Sequence, residues 1–308
     1  MMFPFRGGGR RYRWLYVFLS GWFCLIFLAG CDVGMAYQRL TPTSLPSHIE
    51  TPHVLTPQVL TVGSYTNYAP QEFLDPSSQR PVGFDVDLIT SIAQRLHLQV
   101  HIVSNDFQSL FDGLVARRFD VVISAVSVTP ELQRKVNFIP YFRGGKSLLV
   151  LQGNPSHIHT LHDLCGFPVA VKDMTFEWHE LLSMTEVCQR DGKPAIKVLV
   201  VKQYSDAALL LQHKQVVAVY EDASVADYAI KLHPTSFQLA GDMIGPTMEG
   251  IMVRKDDGAM LSSVQLALQA LTKDGSYHAL IQKWGLYSGD VTVPANYNLS
   301  PQMKPSHA

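Results

Sequence analysis

The sequence predicts an α/β fold, and three observations carry that prediction. Short apolar runs bounded by turn residues recur along the chain. Segments of helix length separate them, several with apolar residues at the i, i+3, i+4, i+7 spacing of an amphipathic helix. No repeat of fixed period underlies this alternation, so strands and crossover helices forming mostly parallel sheets are the expected solution.

In chain order, residues 59–65 read as the first strand. Ile89, Ile92, Ala93 and Leu96 form one helical stripe, and Leu110, Phe111, Leu114 and Val115 the next. The apolar run 120–126 reads as a buried strand. Further strands are predicted at 147–151, Pro168–Lys172, 196–201 and 216–220, with helical stripes at 225–230, 261–271 and 277–284. Thr129-Pro130 has the form of a helix start, Thr as cap and Pro at the first helical position. Asp85 is expected to cap the helix that follows it.

With 308 residues, 47% hydrophobic and 17% charged, the chain can bury two modest cores. A formal net charge of -1 leaves no electrostatic footprint for nucleic acid. His157 and His159 lie in a loop-like stretch, so neither they nor the other histidines predict a metal site. There is no Gly-rich phosphate loop, no G-x-S-x-G elbow and no zinc-protease helix. Asp85 and Asp87 are two apart and do not form a facing acid pair. No cofactor, metal or catalytic set is expected.

The N-terminus carries Arg6, Arg10, Arg11 and Arg13 before an apolar run over 14–30. This is the layout of a secretory signal, although the run is nearly long enough for a spanning anchor. Leu28-Ala29-Gly30-Cys31 resembles the lipobox of bacterial lipoproteins, which implies cleavage before Cys31 and lipidation of its thiol. The expected layout is a signal peptide over 1–30 and a Thr/Pro/Ser-rich tether over 31–53. The folded part is placed outside the cytoplasm, held to a membrane. That leaves Cys165 and Cys188, which an oxidising compartment permits to pair; two buried thiols remain the alternative.

Ligands of open α/β sheets sit beyond the carboxyl ends of the strands. Tyr65 and Tyr68 follow the first predicted strand, and Ser124, Ser127 and Thr129 follow the 120–126 run. Lys172 and Thr175 follow the strand Pro168–Lys172, while Glu221 and Asp222 end the 216–220 run.

A series of landmarks then appears in a fixed order. Leu60-Thr61-Val62-Gly63, Glu72-Phe73-Leu74-Asp75 and Gly83-Phe84-Asp85-Val86-Asp87-Leu88 come first. Phe107 and Leu110, Phe119-Asp120-Val121-Val122-Ile123, Thr129-Pro130-Glu131 and Pro140-Tyr141 follow. Asp163-Leu164 with Gly166, Val169-Ala170-Val171, Asp274-Gly275-Ser276-Tyr277 and Lys283-Trp284-Gly285 complete the set. From about residue 59 to 285 the chain resembles the family 3 extracellular solute-binding proteins of ATP-driven amino-acid importers.

The resemblance implies a type II periplasmic-binding-protein fold, in which two lobes, each a mixed sheet flanked by helices, are joined by two crossing strands. Lobe 1 is expected over 54–143 plus 245–287, lobe 2 over 144–244, and a polar tail over 288–308. Cys165, Cys188 and Gly192-Lys193-Pro194-Ala195 resemble a subgroup with a cysteine pair in lobe 2, which implies a bridge. Tyr68 and Phe107 match the walls that sandwich the ligand. Ser127 and Thr175 match hydroxyls that hold its α-carboxylate, and Asp222 the acid that takes its α-ammonium. Lys172 matches a lysine of the glutamine-binding branch. Implied partners are a small amino-acid-like ligand, an importer permease and the membrane through the lipid; the protein is expected to be a monomer and not an enzyme.

Two positions depart from the family pattern. The arginine that clamps the carboxylate is replaced by Leu132, and Arg134, two residues on, points about 200° around a helix from it. Tyr65 stands where relatives carry an aspartate. With no acid there and Lys172 close by, the sequence favours a neutral or acidic ligand over a cationic one. A sensor for a membrane signalling partner, or a cyclohexadienyl-dehydratase-like enzyme, are the alternative functions on this fold.

Overall fold

The structure, a computed structural model, describes residues 50–293. The predicted signal, Cys31 and most of the tether lie outside the described residues, as does 294–308. Chain order begins with β1 (Val59–Ser64), β2 (Asn67–Tyr68), β3 (Glu72–Leu74) and β4 (Pro81–Val82). It continues through α1 (Phe84–Arg95), β5 (Gln99–Ser104), α2 (Leu110–Val115), β6 (Val121–Val122), α3 (Pro130–Lys135) and β7 (Val136–Leu151). Then come β8 (Pro168–Lys172), α4 (Phe176–Arg190), β9 (Lys197–Val201), α5 (Tyr204–Gln212), β10 (Ala218–Asp222) and α6 (Ala223–Leu232). The chain returns along β11 (Phe237–Arg254) and closes with α7 (Gly258–Lys273) and α8 (Ser276–Trp284).

Eight strands form one sheet in the order β5-β1-β6-β11-β7-β10-β8-β9, and β2-β3-β4 form a small separate sheet. β5, β1 and β6 are parallel, as are β10, β8 and β9, each set linked by helical crossovers. β7 and β11 run antiparallel between the two sets and belong to both. The sheet is therefore mixed, and the expected two sheets are continuous through the crossing strands.

The apolar cores divide by lobe. Leu60, Val62, Phe84, Leu88, Ile92 and Tyr277 pack together in lobe 1. In lobe 2, Val169 and Val171 face Leu148, Leu164 and Leu181. Ala170, between them, faces Leu149, Val219 and Phe237 on the opposite side of the sheet. A sheet covered on both faces accounts for the unbroken apolar run of β8. Val54 packs on the lobe 1 core, and Leu55 N–H donates to Asp120 at 2.9 Å.

Several expected elements are corrected. Only Val121–Val122 of the 120–126 run is strand. Ser124 Oγ accepts from Tyr65 N–H and donates to Glu72, while Ala125 takes a positive φ of 47°, which turns the chain out of the sheet towards the cleft. Asp85 does not cap α1: Gly83 occupies that position, and Asp85 points inward, accepting from Tyr141 O–H at 2.6 Å and Ala125 N–H at 3.1 Å. The 147–151 strand is the end of the 16-residue β7, whose partner β11, with 18 residues, has Gly and Pro that read as a turn. The first residues of the expected polar tail pack onto the fold: Ser288 N–H donates to Asp227 at 2.7 Å and Asp290 is buried against His278.

In lobe 2, Cys165 and Cys188 stand with sulfurs at bonding distance and Cα atoms 5.6 Å apart. No helix among the described residues is long and apolar enough to cross a membrane. No group of three or more His, Cys, Asp or Glu among them could hold a metal ion.

Candidate functional site

A cavity of about 360 Å³ lies between the lobes where β7 and β11 cross. Lobe 1 contributes Tyr65, Tyr68, Glu72, Phe107, Ser124, Ala125, Ser127 and Glu249; lobe 2 contributes Phe176, Glu177 and Asp222, and the crossing strands Gly145, Lys146, Gly245 and Thr247. The cavity thus gathers six of the nine expected ligand residues: Tyr65, Tyr68, Phe107, Ser124, Ser127 and Asp222. Phe107 is half exposed at its mouth, with Tyr65 edge-on to it at 6.4 Å between ring centroids. Phe176, across the cleft, is 81% exposed.

The remaining three sit elsewhere. Thr129 caps α3 by accepting from Leu132 N–H, and its side chain is outside the cavity. Thr175 caps α4: its hydroxyl accepts from Trp178 N–H at 3.3 Å and donates to Lys172 C=O at 2.8 Å. Lys172 lies over the Tyr204 ring at 4.6 Å and lines a second, larger cavity of about 1040 Å³. Tyr65 borders both cavities, and Glu221 lines the second.

Four carboxylates that line the smaller cavity are raised by burial. Glu249 is pushed up to about 8, with Asp85 beside it adding to the effect of burial. Glu177 reaches about 7, through burial and the neighbouring Asp222. Glu72 is driven well up by burial and then by Asp85. Asp222 is raised by burial against the opposing pull of the Tyr68 and Tyr204 hydroxyls; Tyr204 O–H donates to it at 3.1 Å. Like charges gathered away from water disfavour ionisation, so these groups hold protons at pH values where free carboxyls do not.

Sequence reasoning missed Glu72, Glu177 and Glu249. Glu72 stood in a quoted motif, yet nothing local showed that β3 would turn it inward. Glu177 follows the cap of a helix that was not predicted. Glu249 lies on the unpredicted β11, where Gln71 Nε2 donates to it at 2.6 Å. The expected neutral or acidic ligand is not confirmed: where Tyr65 supplies no acid, carboxyl groups from three other elements line the cavity. Leu132 packs against the apolar cluster of Leu110, Phe119 and Val136, and Arg134 is exposed outside the cavity.

Comparison with known proteins agrees with this geometry. Residues 60–287 match the model of bacterial extracellular solute-binding proteins, family 3. A probable ABC transporter arginine-binding protein of Chlamydia trachomatis is 30% identical over 228 residues, covering 73% of this chain and 85% of that one. The L-cystine-binding protein TcyA of Bacillus subtilis is 26% identical over 227 residues, covering 73% and 81%. A solved ancestral cationic amino acid solute-binding protein is 28% identical with a TM-score of 0.63, covering 74% of this chain and 96% of its own. With the match spanning both lobes and the cleft between them, the chain belongs to the bacterial extracellular solute-binding proteins of family 3.

Proposed function

We propose that the chain is the binding component of an ABC importer, capturing an amine-bearing solute of amino-acid size between its lobes and presenting it to a membrane permease. The observation that carries the reading is the cavity at the strand crossing, lined from both lobes within the matched region. A ligand that touches both lobes binds the closed form best, which is the differential affinity that closure requires. The relatives are named as transporter binding proteins, and the protein acts by binding, not catalysis. Lipidation at Cys31 keeps it outside the cytoplasm at the membrane, and a Cys165–Cys188 bridge suits that oxidising location.

Asp222, within reach of Tyr204 and facing the cavity, receives the ligand ammonium in this reading. Thermal-shift screening of the protein against amino acids and amines tests it, because a ligand selective for the native state raises the melting temperature. Saturable stabilisation by at least one such solute is expected. An unmoved midpoint across the whole panel contradicts the assignment.

A further inference from the structure

The buried polar atoms without a partner point to the kind of ligand. Among the described residues they are Ser64 Oγ, Gln71 Oε1, Glu72 Oε2, Asp85 Oδ1, Glu221 Oε1 and Arg254 Nε. All but the last can accept a hydrogen bond, and Glu72 lines the ligand cavity while Glu221 lines its neighbour. These oxygens can accept from a ligand donor, while Glu72 and Asp85, close enough to share one proton, can also donate.

Apart from the hydroxyls of Ser127 and Thr247, the groups that could hold a carboxylate are already engaged. Leu132 removes the arginine fork and packs, partly buried, against the cluster of Leu110, Phe119 and Val136. Lys146, the one basic side chain lining the cavity, is paired with Glu180 at 2.6 Å. The start of α4 is capped by Thr175, and Glu177 of its first turn places a carboxylate there. Ala125 N–H is taken by Asp85, and Tyr65 N–H by Ser124. An incoming carboxylate therefore meets acids without a free cation to offset them.

What the cavity offers is four carboxylates and four aromatic rings, the last being Tyr65, Tyr68, Phe107 and Phe176. Ring faces and acids together recognise ammonium and guanidinium groups. We propose that the cleft is a cage for an organic cation of amino-acid size that carries no carboxylate, an alkylamine or alkylguanidine. This rests on the importer reading and narrows its solute class. Glu72 and Glu249 from lobe 1, with Glu177 and Asp222 from lobe 2, then grip the same cation from both sides.

The test is calorimetric titration of the full chain, purified in detergent, with two matched pairs: agmatine against arginine, and cadaverine against lysine. The decarboxylated member of at least one pair is expected to bind tighter by about tenfold or more, the scale of one charge-assisted contact. Leu132→Arg is expected to improve arginine relative to agmatine. Equal affinities within both pairs, tighter binding of the amino acids, or no saturation by either amine overturns the cage. If amino acids such as cystine or glutamine still saturate the protein, the importer reading stands while the cage falls. Failure of every amine and amino acid brings down both.

Discussion

Asp222 shows how one side chain gains meaning from its position. Sequence reasoning found it at a strand end, and the structure places it at the end of β10, opposite Tyr68 of lobe 1, whose hydroxyl lies 3.3 Å from Ser224 Oγ. Replacing it with Asn keeps the shape and removes the charge. The loss of a charge-assisted hydrogen bond is worth about 1.5–3 kcal/mol, so Asp222→Asn is expected to weaken amine binding by roughly 10- to 100-fold. Titration calorimetry beside an unchanged circular dichroism spectrum checks this; wild-type affinity removes Asp222 from the site. Tyr65 and Leu132 were equally legible as departures. Their setting was not, because the acids that share the cavity with Tyr65 come from elsewhere in the chain.

The short ends of elements divide structural duty from ligand duty. Thr175 is spent on α4, both accepting from Trp178 N–H and donating to Lys172 C=O. Thr175→Ala is expected to lower stability by about 1 kcal/mol, the usual worth of an N-cap, while leaving ligand affinity within error. Denaturant unfolding with a parallel titration separates the two, and a large affinity loss would return Thr175 to the ligand. At the crossing strands, a Cβ on Gly144 would meet Glu249 Oε1 at 2.5 Å, so glycine there lets the hinge backbone lie against a ligand-facing acid. The β7–β11 ladder shifts register between Ala240 and Ile244, between Ile244 and Thr247, and between Glu249 and Gly250, so its irregularity gathers around the crossing. Strands bounded by clear turns, such as β8, were legible from apolar pattern alone. β11 was not, since its glycines and Pro246 serve a hinge inside a strand; nor was α4, whose apolar face is broken by charged residues.

At the scale of the molecule, the two-lobed α/β plan could be read from ordered motifs, but the electrostatics of its centre could not. Folding brings together Glu72, Asp85, Glu177, Glu221, Asp222 and Glu249, with Lys146 and Lys172 the nearest basic groups affecting them. Asp227, buried under Ser288, is also raised, to about 7. Each of these acids binds its proton more tightly folded than unfolded, so each contributes stability that is full below the unfolded value and lost as pH rises through the folded one. The melting temperature of the ligand-free protein is therefore expected to fall from about pH 5 to about pH 8, with Glu177 near 7 and Glu249 near 8 setting the upper part. A scan of melting temperature against pH checks the sign, and a rise across that window contradicts it. The same acids give capture a thermochemical signature. On the proposed cage, a cation entering among protonated carboxyls expels protons to the buffer, so cargo and proton exchange places. The apparent heat of binding then follows the ionisation enthalpy of the buffer.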